Sequence, residues 1–316
     1  MQLIRGIDHL NGDHQPSVVS IGNYDGVHRG HQHVIETLLR KSDELNAPAA
    51  VVTFEPLAKE FFNPDSVIRL TSVEERAQLL FSLGVERVLC IDFTKEFAAY
   101  SPNKFVQDVL LNGLGAKYVC VGDDFRFGKN RSGDFSFLQD AGKQHGFDVT
   151  AHDTFTLQGQ RVSSGRVRDA LLASDFMLAE QLLGRPYAMQ GVVEKGQQIG
   201  RTINFPTANI VLSDALLAVN GVYAVSVELA QEDGGSHSNT ARRLQGVANV
   251  GTRPTVDGSE KRLEVHLFDF DEDIYGQTMN VLFHEKIRDE QKFTSIDELK
   301  QQIGKDAQQA AVYFRT

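Results

Sequence analysis

Two stretches of this chain carry side chains of the right type and spacing for chemistry on phosphate. In Gly22-Asn23-Tyr24-Asp25-Gly26-Val27-His28-Arg29-Gly30-His31, a glycine-rich turn follows the apolar run Val18-Val19-Ser20-Ile21 and precedes helical spacing from Val34 to Leu45. A turn of this kind at the carboxyl end of a strand lets backbone N–H groups and a helix N-terminus approach an anion. His28 and His31, three apart at the helix start, can address one anion together. As hydrogen-bond donors they would stabilise charge building on a phosphoryl group and its leaving group. His33 adds a third imidazole, but no Cys and no helical Glu-x-x-His pattern accompanies it, so no metal centre is expected there.

The second stretch is Gly200-Arg201-Thr202-Ile203-Asn204-Phe205-Pro206-Thr207-Ala208-Asn209. Thr207 and Asn209 are two apart, so extended backbone places them on one face. A hydroxyl and an amide carbonyl are ligands that suit Mg²⁺ while it bridges nucleotide phosphates. A plain polar strand end after a proline turn would read the same way. In Leu263-Glu264-Val265-His266-Leu267 polar and apolar residues alternate, so Glu264 and His266 share a face, which a solvated strand would also show. Arg161-Val162-Ser163-Ser164-Gly165-Arg166-Val167-Arg168 combines a hydroxyl at Ser164 with the forked, permanently charged donors Arg161 and Arg168. An ordinary helix cap with surface arginines is the competing reading.

Two different scaffolds must hold these groups. In the first half, strand-like runs at Val18–Ile21, Ala49–Phe54, Val88–Phe93 and Tyr118–Val121 alternate with helical patterns, including one over residues 71 to 83 that opens on a capping pattern, Thr71 or Ser72 followed by Glu74 and Glu75. A further helix is expected over Pro102–Asn112. Such alternation predicts a parallel sheet covered by helices. The rhythm changes near Arg185-Pro186-Tyr187. Short strand-like segments follow at Met189–Val193, Gly221–Glu228, Leu244–Val250, Arg262–Phe270 and Thr278–Phe283, then a helix over about Ser295–Phe314. This predicts a small antiparallel barrel closed by a helix. The expected domains are residues 1–186 and 187–316, with residues 230 to 243 an exposed polar loop.

The chain has 316 residues, 23% charged and 41% hydrophobic, with a formal net charge of -10. An acidic chain of this kind is a poor nonspecific nucleic-acid binder. No apolar run reaches the length of a membrane span, and the amino-terminal residues lack the apolar core of a signal peptide, so a cytoplasmic location is expected. Cys90 and Cys120 each sit in an apolar strand-like run, as buried reduced thiols do. Oligomeric state is left open.

The turn Gly22–His31 is similar to the nucleotide-binding signature of FMN adenylyltransferases, members of the His-x-Gly-His nucleotidyltransferase superfamily. Val121-Gly122-Asp123-Asp124-Phe125-Arg126-Phe127-Gly128 resembles the flavin- and nucleotide-contacting loop of that family, and Arg161–Arg168 its second phosphate motif. Phe54-Glu55-Pro56 with Phe61-Phe62 resembles its flavin segment, although periodicity alone would read both phenylalanines as core. Residues 200 to 209 resemble the riboflavin kinase signature Gly-Phe-Pro-Thr-Ala-Asn. Gly246–Thr255, Leu263–Phe270 and Ile287–Phe293 match further kinase segments. From about Ile4 to Ala310 the chain thus resembles the bacterial bifunctional riboflavin kinase/FMN adenylyltransferase family, in its domain order.

The resemblance implies a Rossmann-like nucleotidyltransferase domain followed by a Greek-key β-barrel kinase domain with a C-terminal helix. It implies two ATP-dependent reactions, riboflavin to FMN and FMN to FAD, with Mg²⁺ held at Thr207 and Asn209. Glu264 becomes the catalytic base of the kinase, and His28 and His31 the catalytic pair of the adenylyltransferase. Gly22, Asn23, Asp25, Gly30, Ser164, Arg168, Gly200, Thr207 and Asn209 fall to nucleotide and phosphate. Phe62, Asp124, Phe125, Arg161 and Arg288 fall to flavin. The chain departs from the family pattern at Asn204, at Gly165, at Leu57-Ala58 and at Glu194-Lys195. A lone FAD synthetase with a silent barrel and a flavin-sensing module are the rival readings. Intact Thr207, Asn209 and Glu264 argue against the first, and the paired histidines against the second.

Overall fold

The computed structural model describes residues 1–64, 67–122, 124–195, 205–212, 216–229, 242–255 and 258–315. Gly200 and Asn204, and most of the polar loop expected at residues 230 to 243, lie outside the described residues. The chain divides into two compact units, Met1–Arg166 and Val167–Thr316. The change of rhythm in the sequence lies some way beyond that division, after two short helices.

The first unit is built on a six-stranded sheet. Its strands are β1 (Gln2–Arg5), β2 (Ser17–Ile21), β3 (Ala49–Glu55), β4 (Arg87–Asp92), β5 (Ala116–Gly122) and β6 (Asp148–His152), in the order β1-β4-β3-β2-β5-β6. Every pairing is parallel. Parallel strands buried on both faces need apolar residues at successive positions. Val18 and Val19 show this: Val18 packs into the cluster with Ile35, Leu38 and Leu80, and Val19 into the opposite one with Leu110, Val121 and Leu138. The helices that cover these faces include α1 (Arg29–Leu45), α2 (Val73–Ser82) and α3 (Phe135–His145). α2 starts where the sequence predicts, with Ser72 and Glu75 exchanging both capping hydrogen bonds at 3.1 and 2.7 Å. The helix expected over Pro102–Asn112 is present but loosens after Phe105 into a π-helix over Val106–Gly113.

The strand order reverses between β2 and β5. In an open parallel sheet the crevice at such a switch point, outside the carboxyl ends of the strands, is where ligands bind. The Gly22–His31 turn leaves β2 at that point, and the Asp124-Phe125 segment leaves β5 beside it.

Helices α4 (Ser164–Leu172) and α5 (Phe176–Leu183) lead into the barrel. Its strands are β7 (Ala188–Val192), β8 (Ala208–Val211), β9 (Gly221–Leu229), β10 (Arg242–Thr255), β11 (Gly258–Leu267) and β12 (Thr278–Arg288), in the order β7-β12-β9-β10-β11-β8. The run β12-β9-β10-β11 is a Greek key: three consecutive antiparallel strands, with the fourth returned beside the first. The ends of the sheet meet, since Glu194 just after β7 donates its N–H to the Asn209 carbonyl of β8 at 2.8 Å. α6 (Ile296–Tyr313) covers one face, burying Ala310 against Val222, Ala224 and Val247. Phe176 of α5 packs edge-on to Tyr223 and parallel to Phe283, ring centroids 5.7 and 6.3 Å away.

Candidate active site

The turn after β2 is held by long-range bonds to its backbone. The Thr53 hydroxyl donates to the Asn23 carbonyl at 3.0 Å, and the Ser164 hydroxyl to the Asp25 carbonyl at 2.9 Å. Tyr24 and Val27 both adopt positive φ, 51° and 41°. For a β-branched residue such as Val27 that is a strained conformation, and strain of this kind persists where the surroundings over-determine the backbone.

His28 closes the turn as the N-cap of α1. Its Nδ1 accepts the His31 N–H at 3.3 Å, so the proton of the neutral ring resides on Nε2. That bond leaves the amides of Arg29 and Gly30 as first-turn donors of the kind that bind phosphate. The His31 ring stacks on His28, and its Nδ1 is buried with no hydrogen-bond partner among the described residues. Burial, then His28 and Arg76, hold the His31 pKa well below the usual histidine range, so the ring is neutral near pH 7. A neutral imidazole still donates through one nitrogen. Gly30 sits in close quarters: a Cβ there would lie 3.1 Å from the His28 ring and 3.2 Å from the Val162 carbonyl, so a larger residue would need these neighbours to give by a few tenths of an ångström.

Asp25 sits differently from what a phosphate contact would need. Its side chain is 1% exposed, and the carboxylate accepts from the Leu70 N–H, the Thr71 N–H and the Thr71 hydroxyl at 3.1 to 3.2 Å. It ties the turn to the segment before α2.

Arg76, which the sequence reading passed over, is completely buried. It donates to the Thr53 hydroxyl at 2.9 Å, while its Nε and Nη2 have no hydrogen-bond partner among the described residues. Asp25 and Glu55 provide opposite charge nearby, and burial nonetheless lowers its pKa. In the sequence Arg76 looks like one more charged residue on an amphipathic helix. Only the packing of α2 against β3 makes it a buried cation beside His31.

The flavin candidates fall into two places within the first unit. Phe62 is 72% exposed and packs edge-on to Phe61 and Phe93, centroids 5.2 and 6.1 Å away, at the rim of an aromatic group that includes Phe54 and Phe97. A side chain this exposed is not core. Phe125 stacks on Phe127 at 5.4 Å, and exposed Asp124 pairs with exposed Arg161 at 3.2 Å. An exposed pair of this kind is worth little and yields readily to a charged ligand. Arg168 lies on α4, a turn beyond Ser164.

In the barrel, register makes the constellation. Asn209 of β8 pairs with Glu264 of β11, which pairs with Asn249 of β10. Val222 of β9 pairs with Asn249 and with Arg288 of β12. Directly paired residues share a face, so these five stand in one row across five strands, on the face that α6 covers at Val222. The Asn209 Nδ2 donates to the Thr207 carbonyl at 3.1 Å, which turns its Oδ1 into the acceptor end. Asn249 flanks Glu264 from the other side, and the sequence reading gave it no role. The only signal for it was strand period, which carries no register between strands.

Arg288 is bonded within the barrel unit. Its Nε and Nη2 grip the Asp306 carboxylate at 2.7 to 3.1 Å, and its Nη1 donates to the Asp289 carbonyl at 2.9 Å. Asp306 is 3% exposed, so the pair is a near-buried fastening of α6 to β12.

Comparison with known proteins agrees with this division. Residues 10–166 match the FAD synthetase family model and residues 183–314 the riboflavin kinase family model. The chain is 46% identical over 316 residues to a bifunctional riboflavin kinase/FMN adenylyltransferase of Escherichia coli, covering 99% of this chain and 98% of that protein. It is 44% identical over 317 residues to the Haemophilus influenzae protein of the same name, covering all of both. A crystal structure named a macrolide-efflux protein from Streptococcus pneumoniae superposes with a TM-score of 0.77, at 30% identity over 97% of each chain. Among the described residues no helix is long and apolar enough to cross a membrane.

Proposed function

Because this chain belongs to the family of bifunctional riboflavin kinases/FMN adenylyltransferases, we propose that it makes FAD from riboflavin in two steps, each served by one of the groups of residues just described. Riboflavin and ATP give FMN and ADP. FMN and a second ATP give FAD and pyrophosphate.

For the kinase step the carrying observation is the register of Glu264 with Asn209. Glu264 takes the proton of the riboflavin 5′-hydroxyl as that oxygen attacks the γ-phosphorus. Asn209, through Oδ1, and Thr207, through its hydroxyl, form an all-oxygen donor set suited to a hard divalent cation such as Mg²⁺. When bound, that ion neutralises phosphate charge. Asn249 and Asn209 fix the strand row in which Glu264 stands, and Arg288 keeps α6 over it.

For the adenylyl transfer an FMN phosphate oxygen attacks the ATP α-phosphorus and pyrophosphate leaves. His28, through Nε2–H, and neutral His31 donate to the phosphate oxygens where charge develops. The first-turn amides of α1, together with Ser164, cradle the phosphates; Arg168, a turn beyond Ser164 on α4, is by family resemblance a further charged donor. Gly22 and Asn23 let the turn approach, and Asp25 holds its shape from below. Phe62 and Phe125 offer faces to the isoalloxazine, and Arg161 exchanges Asp124 for ligand. The two buried free thiols, Cys90 and Cys120, fit a reducing cytoplasm.

Incubating the purified protein with riboflavin, ATP and Mg²⁺, and resolving flavins by chromatography, tests this directly. FMN should accumulate first and FAD follow. Absence of FMN from that mixture would overturn the kinase half, and absence of FAD from supplied FMN the other half.

A further inference from the structure

We propose that His266 is a positioning residue for phosphoryl transfer, tethering the Pro206–Asn209 segment to the strand that carries Glu264; this rests on the kinase reading above. His266 stands two residues beyond Glu264 on the same face of β11. Its Nδ1 lies 2.9 Å from the Pro206 carbonyl oxygen. A carbonyl only accepts, so Nδ1 carries the proton and His266 is the donor. The ring is held edge-on between two aromatics, Phe205 at 5.2 Å and Phe268 at 6.0 Å.

The need for such a tether follows from where the β8–β11 ladder begins. Its first pair is Ala208 with Val265, followed by Asn209 with Glu264. Extending the antiparallel register backwards would set Thr207 opposite His266 and Pro206 opposite Leu267. Pro206 has no N–H to continue a ladder. The His266 side chain reaches past the end of the pairing and takes the Pro206 carbonyl instead. Thr207 is thereby enclosed between two fixed points, the His266 bond at Pro206 and the first ladder pair at Ala208. The Asn209 side chain bonds back to the Thr207 carbonyl inside the same span. A segment that has to present a hydroxyl and an amide oxygen to one metal–nucleotide complex gains from being stiff before the ligand arrives.

The test uses the full-length protein and two substitutions that differ only in where a donor nitrogen sits. His266→Asn keeps an N–H at the distance of Nδ1 from the backbone, whereas His266→Gln moves it out to the place of Nε2. In riboflavin phosphorylation, His266→Gln and His266→Ala should raise KM for Mg²⁺–ATP about 3–10-fold, the worth of one net hydrogen bond. KM for riboflavin should stay put, and His266→Asn should restore most of the loss. Without any ligand, amide exchange of the peptide spanning 205–212 should quicken in the Gln variant and not in the Asn variant. If Asn performs no better than Gln in both assays, whether both are harmless or both harmful, the donor role is overturned. A wild-type protein that forms no FMN removes the kinase reading instead, and the exchange data still decide whether the tether exists.

Discussion

The imidazole rings of His28 and His31 lie stacked, centroids 3.6 Å apart and planes 15° from parallel. Two cations at that separation repel strongly, so the pair is not a doubly charged clamp. His31, whose pKa burial, then His28 and Arg76, hold well below the usual range, is the neutral member.

Replacing both, His28→Ala with His31→Ala, should abolish FAD formation from FMN and leave FMN formation from riboflavin nearly intact. One preorganised donor is typically worth about 100–1,000-fold in rate. Chromatography of the two reactions run separately decides it. Undiminished FAD synthesis by a folded double variant would remove the pair from the mechanism.

The depressed pKa of His31 has a consequence for stability. Its unfolded value is about 6.5, and in the fold burial, then His28 and Arg76, hold it well below that. Below the unfolded value the unfolded chain binds a proton that the folded ring refuses, so stability falls as pH falls from about 6.5 and is flat above it. His152 and His284 are shifted the same way, chiefly by burial. Urea midpoints should be lower at acidic than at neutral pH, and the drop should be smaller in His31→Gln. An identical drop in both proteins would exclude His31 as a contributor.

Arg76→Met should cost about 3–5 kcal/mol of unfolding free energy, the usual outcome when one member of a buried charge group is removed. Asp25 would remain buried without that cation, while half-buried Glu55 would keep its ion pair with Arg69. Denaturant titration measures the loss. A cost below about 1 kcal/mol would mean that Arg76 is a passive filler.

Glu264→Gln keeps the size of the side chain and removes proton acceptance. Kinase turnover should drop about 100–10,000-fold, with riboflavin and Mg²⁺–ATP still bound and FAD synthesis from supplied FMN unchanged. A loss confined to riboflavin affinity would recast Glu264 as a binding residue.

Where the kinase half begins can be settled with two fragments, one from Val167 and one from Tyr187. Both should convert riboflavin to FMN. The shorter one lacks Phe176, a side chain 7% exposed that packs on Tyr223 and Phe283, and should be less stable by about 3 kcal/mol. A shorter fragment that is folded by circular dichroism yet makes no FMN would show that the unit needs more than the barrel and its helix.

Local pattern carried much of this in advance, and distance limited the rest. The capping pattern before residue 73, the strand runs of the first half and the short strands of the second all depend on neighbours within a few residues, and all are present. Resemblance assigns Asp25 to a phosphate-binding turn. Its carboxylate is directed instead by Leu70 and Thr71, some 45 positions away. Asp306, which Arg288 grips, lies on a different element, and no local pattern links the two. The row of Asn209, Glu264 and Asn249 needs two strand registers that no local signal encodes.

The Greek key also orders events during synthesis. All six strands of the parallel sheet are complete once His152 has been made. The barrel cannot close then, because β7 waits for β12: Ala188 pairs with Leu282, close to the end of the chain. Chains fold unit by unit as they leave the ribosome, and such distant pairings come late. The half that performs the second reaction is thus the first to be born finished, and a chain released early would carry an adenylyltransferase with no kinase to feed it.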